Sequence, residues 1–179
     1  MKTELAELIA ISRYFGGNKD FVVAGGGNTS YKDEHTIWIK ASGYSLADLN
    51  EEGLVALDRE KLRLISSGNY SSDPATREEQ VKEDMLRSII QSSGSKRPSV
   101  EASLHELIRY RYVVHLHPAL INGILCSLYA KKIIADLFDD KVLFIPYTDP
   151  GYTLFKQLEA EMTGYRKKFQ VDPRVIFLE

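Results

Sequence analysis

Cysteine is almost missing from this chain. Cys126 is the single example among 179 residues, so no internal disulfide can form, and its apolar neighbours in "INGILCSLYA" make it packing before chemistry. That usage suits a reducing cytoplasm. Also lacking is any apolar run near the roughly 20 residues that span a bilayer. The N-terminal "MKTELAELIAISRYF" reads as an amphipathic helix interrupted by Glu4, Glu7 and Arg13, so a soluble protein without a signal peptide is expected. Basic residues form no long block and the net charge is −2. Nucleic acid is therefore a poor partner, and small molecules or protein surfaces are better ones. No internal repeat and no low-complexity linker interrupts the chain.

What is present is enough apolar residue, 44%, to bury one sizeable core, and a single α/β domain over residues 1–179 is expected. Leu5, Leu8, Ile9 and Phe15 recur at helical spacing, with Ser12 on the same face, and the pattern stops at Gly16-Gly17, suited to a C-terminal cap. "FVVAGGGNTS" and "HTIWIKASG" read as two β-rich runs, each ending in small residues. After "GLVALDREKLRLI", a polar stretch leads into a helix with Val81, Met85, Leu86, Ile89 and Ile90, and "QSSGSKRPS" is the next loop. A helix carrying Val100, Leu104, Leu107 and Ile108 precedes the strand "YVVHLH". A further helix carries Leu120, Ile121, Ile124, Leu125 and Leu128. Then follow the strand "KVLFIPY", the helix "YTLFKQLEAEMTGYRKKF" and the strand "RVIFLE".

The chemistry-bearing residues lie at the joins. Side chains alternate along a strand, so His115 and His117 would project from one face, and their ring nitrogens could converge on one ion at about 2.0–2.1 Å, while Leu116 points the other way. Two strand histidines satisfied by hydrogen bonds would look the same in sequence. In "RPSVEASLHELIRY", Ser99 reads as a helix N-cap and Glu101 as a first-turn acid, which could either complement the helix dipole or do chemistry. His105 follows one turn later on the same flank, where a hydrogen bond to Glu101 or to solvent is its plain role. "AGGGNTS" and "KASGYS" could offer backbone N–H groups and hydroxyls to an anion, though neither matches a Walker or dinucleotide fingerprint and most such loops are turns. The remaining histidine, His35, falls at a hairpin-like turn where exposure is expected.

Together, "GGGNTS", "KASG", "PSVEASLH" and "HLHP", in that order and each beside a strand or helix end, resemble the class II aldolase/adducin family over nearly the whole chain. The "RPSVEASLH" and "VVHLHP" regions look most like the rhamnulose-phosphate aldolase branch, including bacterial chains that join an aldolase-like part to a dehydrogenase. The resemblance implies a three-layer α/β/α domain around a largely antiparallel sheet. It implies zinc held by His115 and His117, with Glu101 as the general acid/base. Asn28, Ser42, Gly43 and Ser99 would contact substrate and phosphate. The expected reaction is cleavage of a ketose 1-phosphate to dihydroxyacetone phosphate and an aldehyde through a metal-stabilised enediolate. Alternatives are a sugar-phosphate epimerase or dehydratase of the same family, or a non-catalytic, adducin-like binding module.

Two departures stand out. Val100 occupies a position where phosphate-binding members often carry a second serine. The third zinc ligand of the family is a histidine in a His-Gly motif directly after a strand like "RVIFLE", and it is expected beyond Glu179, as for a C-terminally cut domain. A homo-oligomer, in the family a tetramer, is the expected assembly.

Overall fold

The first helix, α1 (Thr3–Gly16), buries Leu5, Leu8, Ile9 and Ser12 in this computed structural model, which describes residues 2–90 and 96–179. Part of the "QSSGSKRPS" loop lies outside the described residues. The end of α1 differs from expectation. Gly17, its C-cap, keeps a right-handed backbone (φ −75°), and Gly16 is demanded by space instead. A Cβ on Gly16 would lie 2.3 Å from the Ala47 nitrogen, so a close backbone crossing, not a left-handed cap, selects glycine.

The chain divides into two compact units, Met1–His117 and Pro118–Glu179. In the first, β1 (Asn28–Lys32), β2 (Thr36–Lys40), β3 (Leu54–Asp58) and β4 (Tyr112–His115) form a four-stranded sheet in the order β3-β2-β1-β4. Every pairing in it is antiparallel. Only the tail of "FVVAGGGNTS" joins this sheet, which corrects the expected strand. Val22 is buried, but Val23 is exposed and Gly27 turns the chain at φ +73°, so the apolar part of that run is a loop. The true strand is "NTSYK", all five residues of which are buried.

Those buried polar residues sort by the two-residue period of a strand. Thr29 and Tyr31 face α1: Thr29 Oγ1 shares a 2.7 Å hydrogen bond with Ser12 Oγ. Tyr31 packs with Leu5, Leu8 and Ile9 and stacks on Trp38 at 5.6 Å between centroids. Asn28, Ser30 and Lys32 face the other way, towards α4 (Ala102–Leu107). Ser30 Oγ meets His105 Nδ1 at 2.8 Å, and Lys32 donates to the carbonyls of His105 and Ile108. Burial lowers the Lys32 ammonium pKa to about 8, against the opposing pull of Glu106 and with help from Arg59 and Arg63. Behind α4 packs α2 (Arg59–Ser67), which in turn contacts α3 (Pro74–Arg87). The sheet of this unit thus has helices on both faces, the mixed α/β arrangement expected.

Several boundaries shift. α3 buries Val81 and Met85 but leaves Leu86 exposed, and Ile89 and Ile90 lie past its end, where Ile89 bridges Leu57. α4 starts at Ala102, and Val100 is exposed in the preceding turn.

In the second unit, α5 (Ala119–Leu125), α6 (Ala130–Phe138) and α7 (Tyr152–Phe169) accompany β5 (Leu143–Ile145) and β6 (Ile176–Leu178). β5 and β6 pair in parallel as a separate two-stranded sheet. Leu125, Ile134 and Phe177 form one buried cluster of this unit. Leu128, read as a helix-face residue, is fully exposed between α5 and α6. α7 matches "YTLFKQLEAEMTGYRKKF" end to end, framed by Gly151 (φ +103°) and a left-handed Gln170 (φ +60°). Among the described residues, no helix is long and apolar enough to cross a membrane.

Candidate active site

The antiparallel register of β1 and β4 sets Asn28 directly opposite His115, so both side chains rise from the α4 face of the sheet. Gly27 makes this possible. Besides its left-handed backbone, a Cβ there would stand 2.8 Å from the His115 carbonyl oxygen, and no other residue tolerates both conditions. The strand ends at His115. His117, expected on the same strand, lies in the following loop, tied down by its N–H to the Phe21 carbonyl at 3.0 Å. Its ring still meets that of His115, with centroids 4.8 Å apart and planes at 39°.

Glu101 comes to this pair from the start of α4, where it occupies the N-cap position with a helical backbone and no side-chain cap bond. Its carboxylate is thereby free of helix duty. Oε1 lies 3.1 Å from His115 Nδ1, and Oε2 accepts from Asn28 Nδ2 at 3.1 Å. Burial pushes the Glu101 carboxyl up. The hydrogen bond and charge of His115, the charge of His105 and the Asn28 amide outweigh it, holding the group at about 2. At neutral pH it is a carboxylate. Burial, reinforced by the neighbouring His115, lowers the His117 pKa against the pull of Glu101, so its imidazole is neutral and a nitrogen lone pair is available.

Ser99 does not cap α4 directly. Its Oγ accepts the Glu101 N–H at 3.3 Å, and its carbonyl accepts from Ala102 at 3.1 Å, closing the turn that sets Glu101 in place. Ser42 and Gly43 are exposed. Ser42 N–H donates to the Arg97 carbonyl at 3.0 Å and Ala41 bridges Pro98, which puts this turn beside the segment leading to Ser99. Asn28, Glu101, His115 and His117 therefore form one group, with Ser99 behind Glu101 and Ser42-Gly43 alongside. His35 is exposed, and its ring lies 3.9 Å from the Glu34 carboxylate.

Two further residues stand beside this group: His105, expected to bond Glu101 or solvent but instead buried against Ser30 Oγ, and Lys40, which sequence reasoning passed over. His105 is only 3% exposed, and its ligating atom lies within 4.8 Å of those of Glu101 and His115. The signal was its position one helical turn after Glu101. Lys40 is buried, donates to the Tyr44 carbonyl at 2.8 Å, and has its pKa lowered by burial against the attraction of Glu101. Nothing in "TIWIK" marks that lysine as special.

Set beside known proteins, residues 6–178 match the family described as "Class II Aldolase and Adducin N-terminal domain". The chain belongs to this family. A Bacillus subtilis (strain 168) protein named "Uncharacterized oxidoreductase YuxG" is 31% identical over a 161-residue match that covers 85% of this chain and 22% of that protein. The chain thus spans about a fifth of the length of this relative. Among solved structures, the N-terminal class II aldolase domain of a conserved protein from Thermoplasma acidophilum superposes with a TM-score of 0.80 at 23% identity. That match covers 100% of this chain and 81% of the other. An L-fuculose 1-phosphate aldolase superposes with a TM-score of 0.54 at 17% identity, covering 93% of this chain and 69% of that one. Both share the class II aldolase fold with this chain.

Proposed function

We propose that the protein is a zinc-dependent lyase that cleaves a ketose 1-phosphate to dihydroxyacetone phosphate and an aldehyde, with Glu101 moving the proton. The observation that carries this reading is the Glu101 carboxylate, held by His115 at 3.1 Å and Asn28 at 3.1 Å, with the ring of His117 tilted beside that of His115. Family membership supports the reaction class, and the L-fuculose 1-phosphate aldolase among the similar structures supports a sugar phosphate as substrate. We read the protein as a cytoplasmic homo-oligomer, nearest the rhamnulose-phosphate branch. The name of the Bacillus relative accords with an aldolase-like part joined to a dehydrogenase.

The donor set fits zinc. Imidazole nitrogens and a carboxylate are its usual protein ligands besides thiolate. His115 and His117 would hold the ion, which when bound supplies Lewis-acid polarisation of the substrate carbonyl. The other steps belong to the chain. His115 gives its Nδ1–H to Glu101, which fixes the tautomer and leaves Nε2 with a lone pair for a metal. The two Glu101 oxygens each accept one hydrogen bond, and their remaining lone pairs can take a proton from the substrate hydroxyl or carbon and return it. Asn28 keeps the carboxylate aimed while that happens. Ser42, Gly43 and Ser99 would bind phosphate through neutral donors, and Val100, exposed at this turn, adds none. The test is to incubate the zinc-loaded protein with rhamnulose and fuculose 1-phosphates and assay dihydroxyacetone phosphate. Release that a chelator abolishes is expected. Absence of release across the panel, with zinc bound, overturns the reading.

A further inference from the structure

A recess of about 310 Å³ in the first unit takes no part in the chemistry above. Its lining is Lys32, Asp33, Glu34, Arg59, Arg109 and Arg111. Asn28 opens β1 opposite His115, whereas Lys32 closes the same strand, so the two residues stand about 13 Å apart along it. Four cations against two carboxylates leave this small space with surplus positive charge, in a chain whose net charge is −2. The acids have other business. Asp33 accepts from the backbone N–H groups of His35 and Thr36 and from Lys2 Nζ at 3.3 Å, and the Glu34 side chain is 87% exposed. Arg59 is a fixed wall, hydrogen-bonded to both Glu106 oxygens and to the Asp33 and Glu34 carbonyls. The other three cations keep donors to spare. Lys32 is 2% exposed and gives two of its three N–H groups to the His105 and Ile108 carbonyls. The third has no acceptor among the described residues. Arg111 lies over the Tyr31 ring, 5.4 Å from its centroid, with one nitrogen 2.9 Å from the Tyr31 hydroxyl and 3.7 Å from Glu4. Arg109 is exposed and meets no carboxylate within ion-pair distance among the described residues.

We propose that this recess binds a small phosphorylated metabolite by its phosphate dianion, through Lys32, Arg109 and Arg111. A guanidinium presents paired N–H donors that match two phosphate oxygens, and an ammonium adds a compact charge. A buried ammonium with one donor left over makes the contact stronger, because attraction between charges grows where water is excluded. The surroundings of Lys32 are short of negative charge: burial, ahead of the Arg59 and Arg63 charges and against that of Glu106, lowers its pKa to about 8. An anion in the recess relieves that shortage. Size and sign choose the ligand class. The volume is at the small end for ligand pockets, enough for a phosphate group and a few further heavy atoms. Asp33 and Glu34 in the lining repel the long phosphate backbone of a nucleic acid, which the charge balance of the chain disfavours too. The recess shares no residue with Ser42, Gly43 and Ser99, the neutral donors proposed for the substrate phosphate, and it stands or falls without the aldolase reaction.

The experiment is a titration of the whole chelator-treated, 15N-labelled chain with inorganic phosphate and with pyrophosphate, at an ionic strength held constant with chloride and read by 1H–15N spectra. The recess predicts that the amides of Lys32, Asp33 and Glu34 and the Arg109 and Arg111 signals move together and saturate. It also predicts that Arg109→Gln, at an exposed side chain outside the proposed catalytic group, keeps the wild-type melting curve and weakens binding about fivefold or more. Adding Arg111→Gln weakens it further. Shifts confined to the Ser42, Gly43 and Ser99 amides overturn the recess and leave the substrate reading standing. Saturable shifts at the recess support it even where no ketose phosphate is cleaved. Chloride alone producing the same shifts, or unchanged affinity in the double variant, reduces the effect to charge screening and overturns the proposal. A single-stranded oligonucleotide that moves the same signals at lower concentration than pyrophosphate overturns the small-ligand assignment.

Discussion

Glu101 and Glu106 sit at opposite ends of the same short helix, and their surroundings are opposites. Glu106 is clamped: its carboxylate meets Arg59 Nε at 2.8 Å and Arg63 Nε at 2.9 Å, with only 6% of the side chain exposed. Glu101 meets no arginine or lysine within ion-pair distance among the described residues. Its partners are a histidine and an amide, and 26% of its side chain is exposed. Two guanidinium groups engage both Glu106 oxygens in three charge-assisted hydrogen bonds. A neutral amide and an imidazole hold the Glu101 carboxylate in place with one hydrogen bond to each oxygen and keep it ionised. One carboxylate stabilises the fold and the other can do work, and the difference lies in what surrounds each, since residue type is the same.

The largest effect that could break this contrast is on stability. Glu106→Ala leaves Arg59, only 15% exposed, as an uncompensated buried charge, and a loss of about 3–5 kcal/mol is expected in urea denaturation. A loss below about 1 kcal/mol would mean that the Glu106 pair is a surface ion pair in energetic terms.

A second effect separates the two ends of α4 by pH. Burial takes the His105 pKa down to about 3, with Glu101 opposing and the His115 and Lys32 charges assisting. Between its ordinary value of 6.5 and about 3 the unfolded chain binds the proton and the folded chain does not, so stability falls as pH falls through that window. From pH 7 to pH 5 this group alone costs about 2 kcal/mol. In chelator-treated protein, wild type should show that slope and His105→Gln should lack it. Equal slopes would show that His105 is not kept neutral by the fold.

The smallest expected change is at the working end. Asn28→Ala should alter stability by no more than about 1 kcal/mol, because it removes one neutral side-chain hydrogen bond to Glu101. A loss of Glu106 size in Asn28→Ala would erase the contrast and make the hold on Glu101 a fold contact.

How much of this was legible beforehand follows the same division. α7 and β2 could be read residue by residue because their apolar periods serve packing alone, and α7 carries its own stop signals in Gly151 and the left-handed Gln170. β1 could not. Its buried Asn28, Thr29, Ser30 and Lys32 are satisfied by partners distant in sequence, such as Glu101, Ser12 and His105, so no local hydrophobic pattern announces a strand. The motifs around Asn28, Glu101, His115 and His117 were visible as chemistry, and the structure gathers them. His105 was visible only as a residue on the flank of Glu101, since its burial is decided by Ser30 across the sheet. His117 was placed on the strand by alternation, and the chain leaves the strand after His115.

The central claim is that Glu101 moves a proton at the carbon next to a carbonyl. The most direct measurement needs no knowledge of the aldehyde. Zinc-loaded protein is incubated with dihydroxyacetone phosphate in D2O, and loss of the hydroxymethyl C–H signal is followed by proton NMR. The account predicts stereospecific exchange of one hydrogen in wild type, and a rate lower by about 10²–10⁴-fold in Glu101→Gln with zinc still bound. Exchange in Glu101→Gln at the wild-type rate, or none in wild type with zinc and substrate both bound, would contradict it.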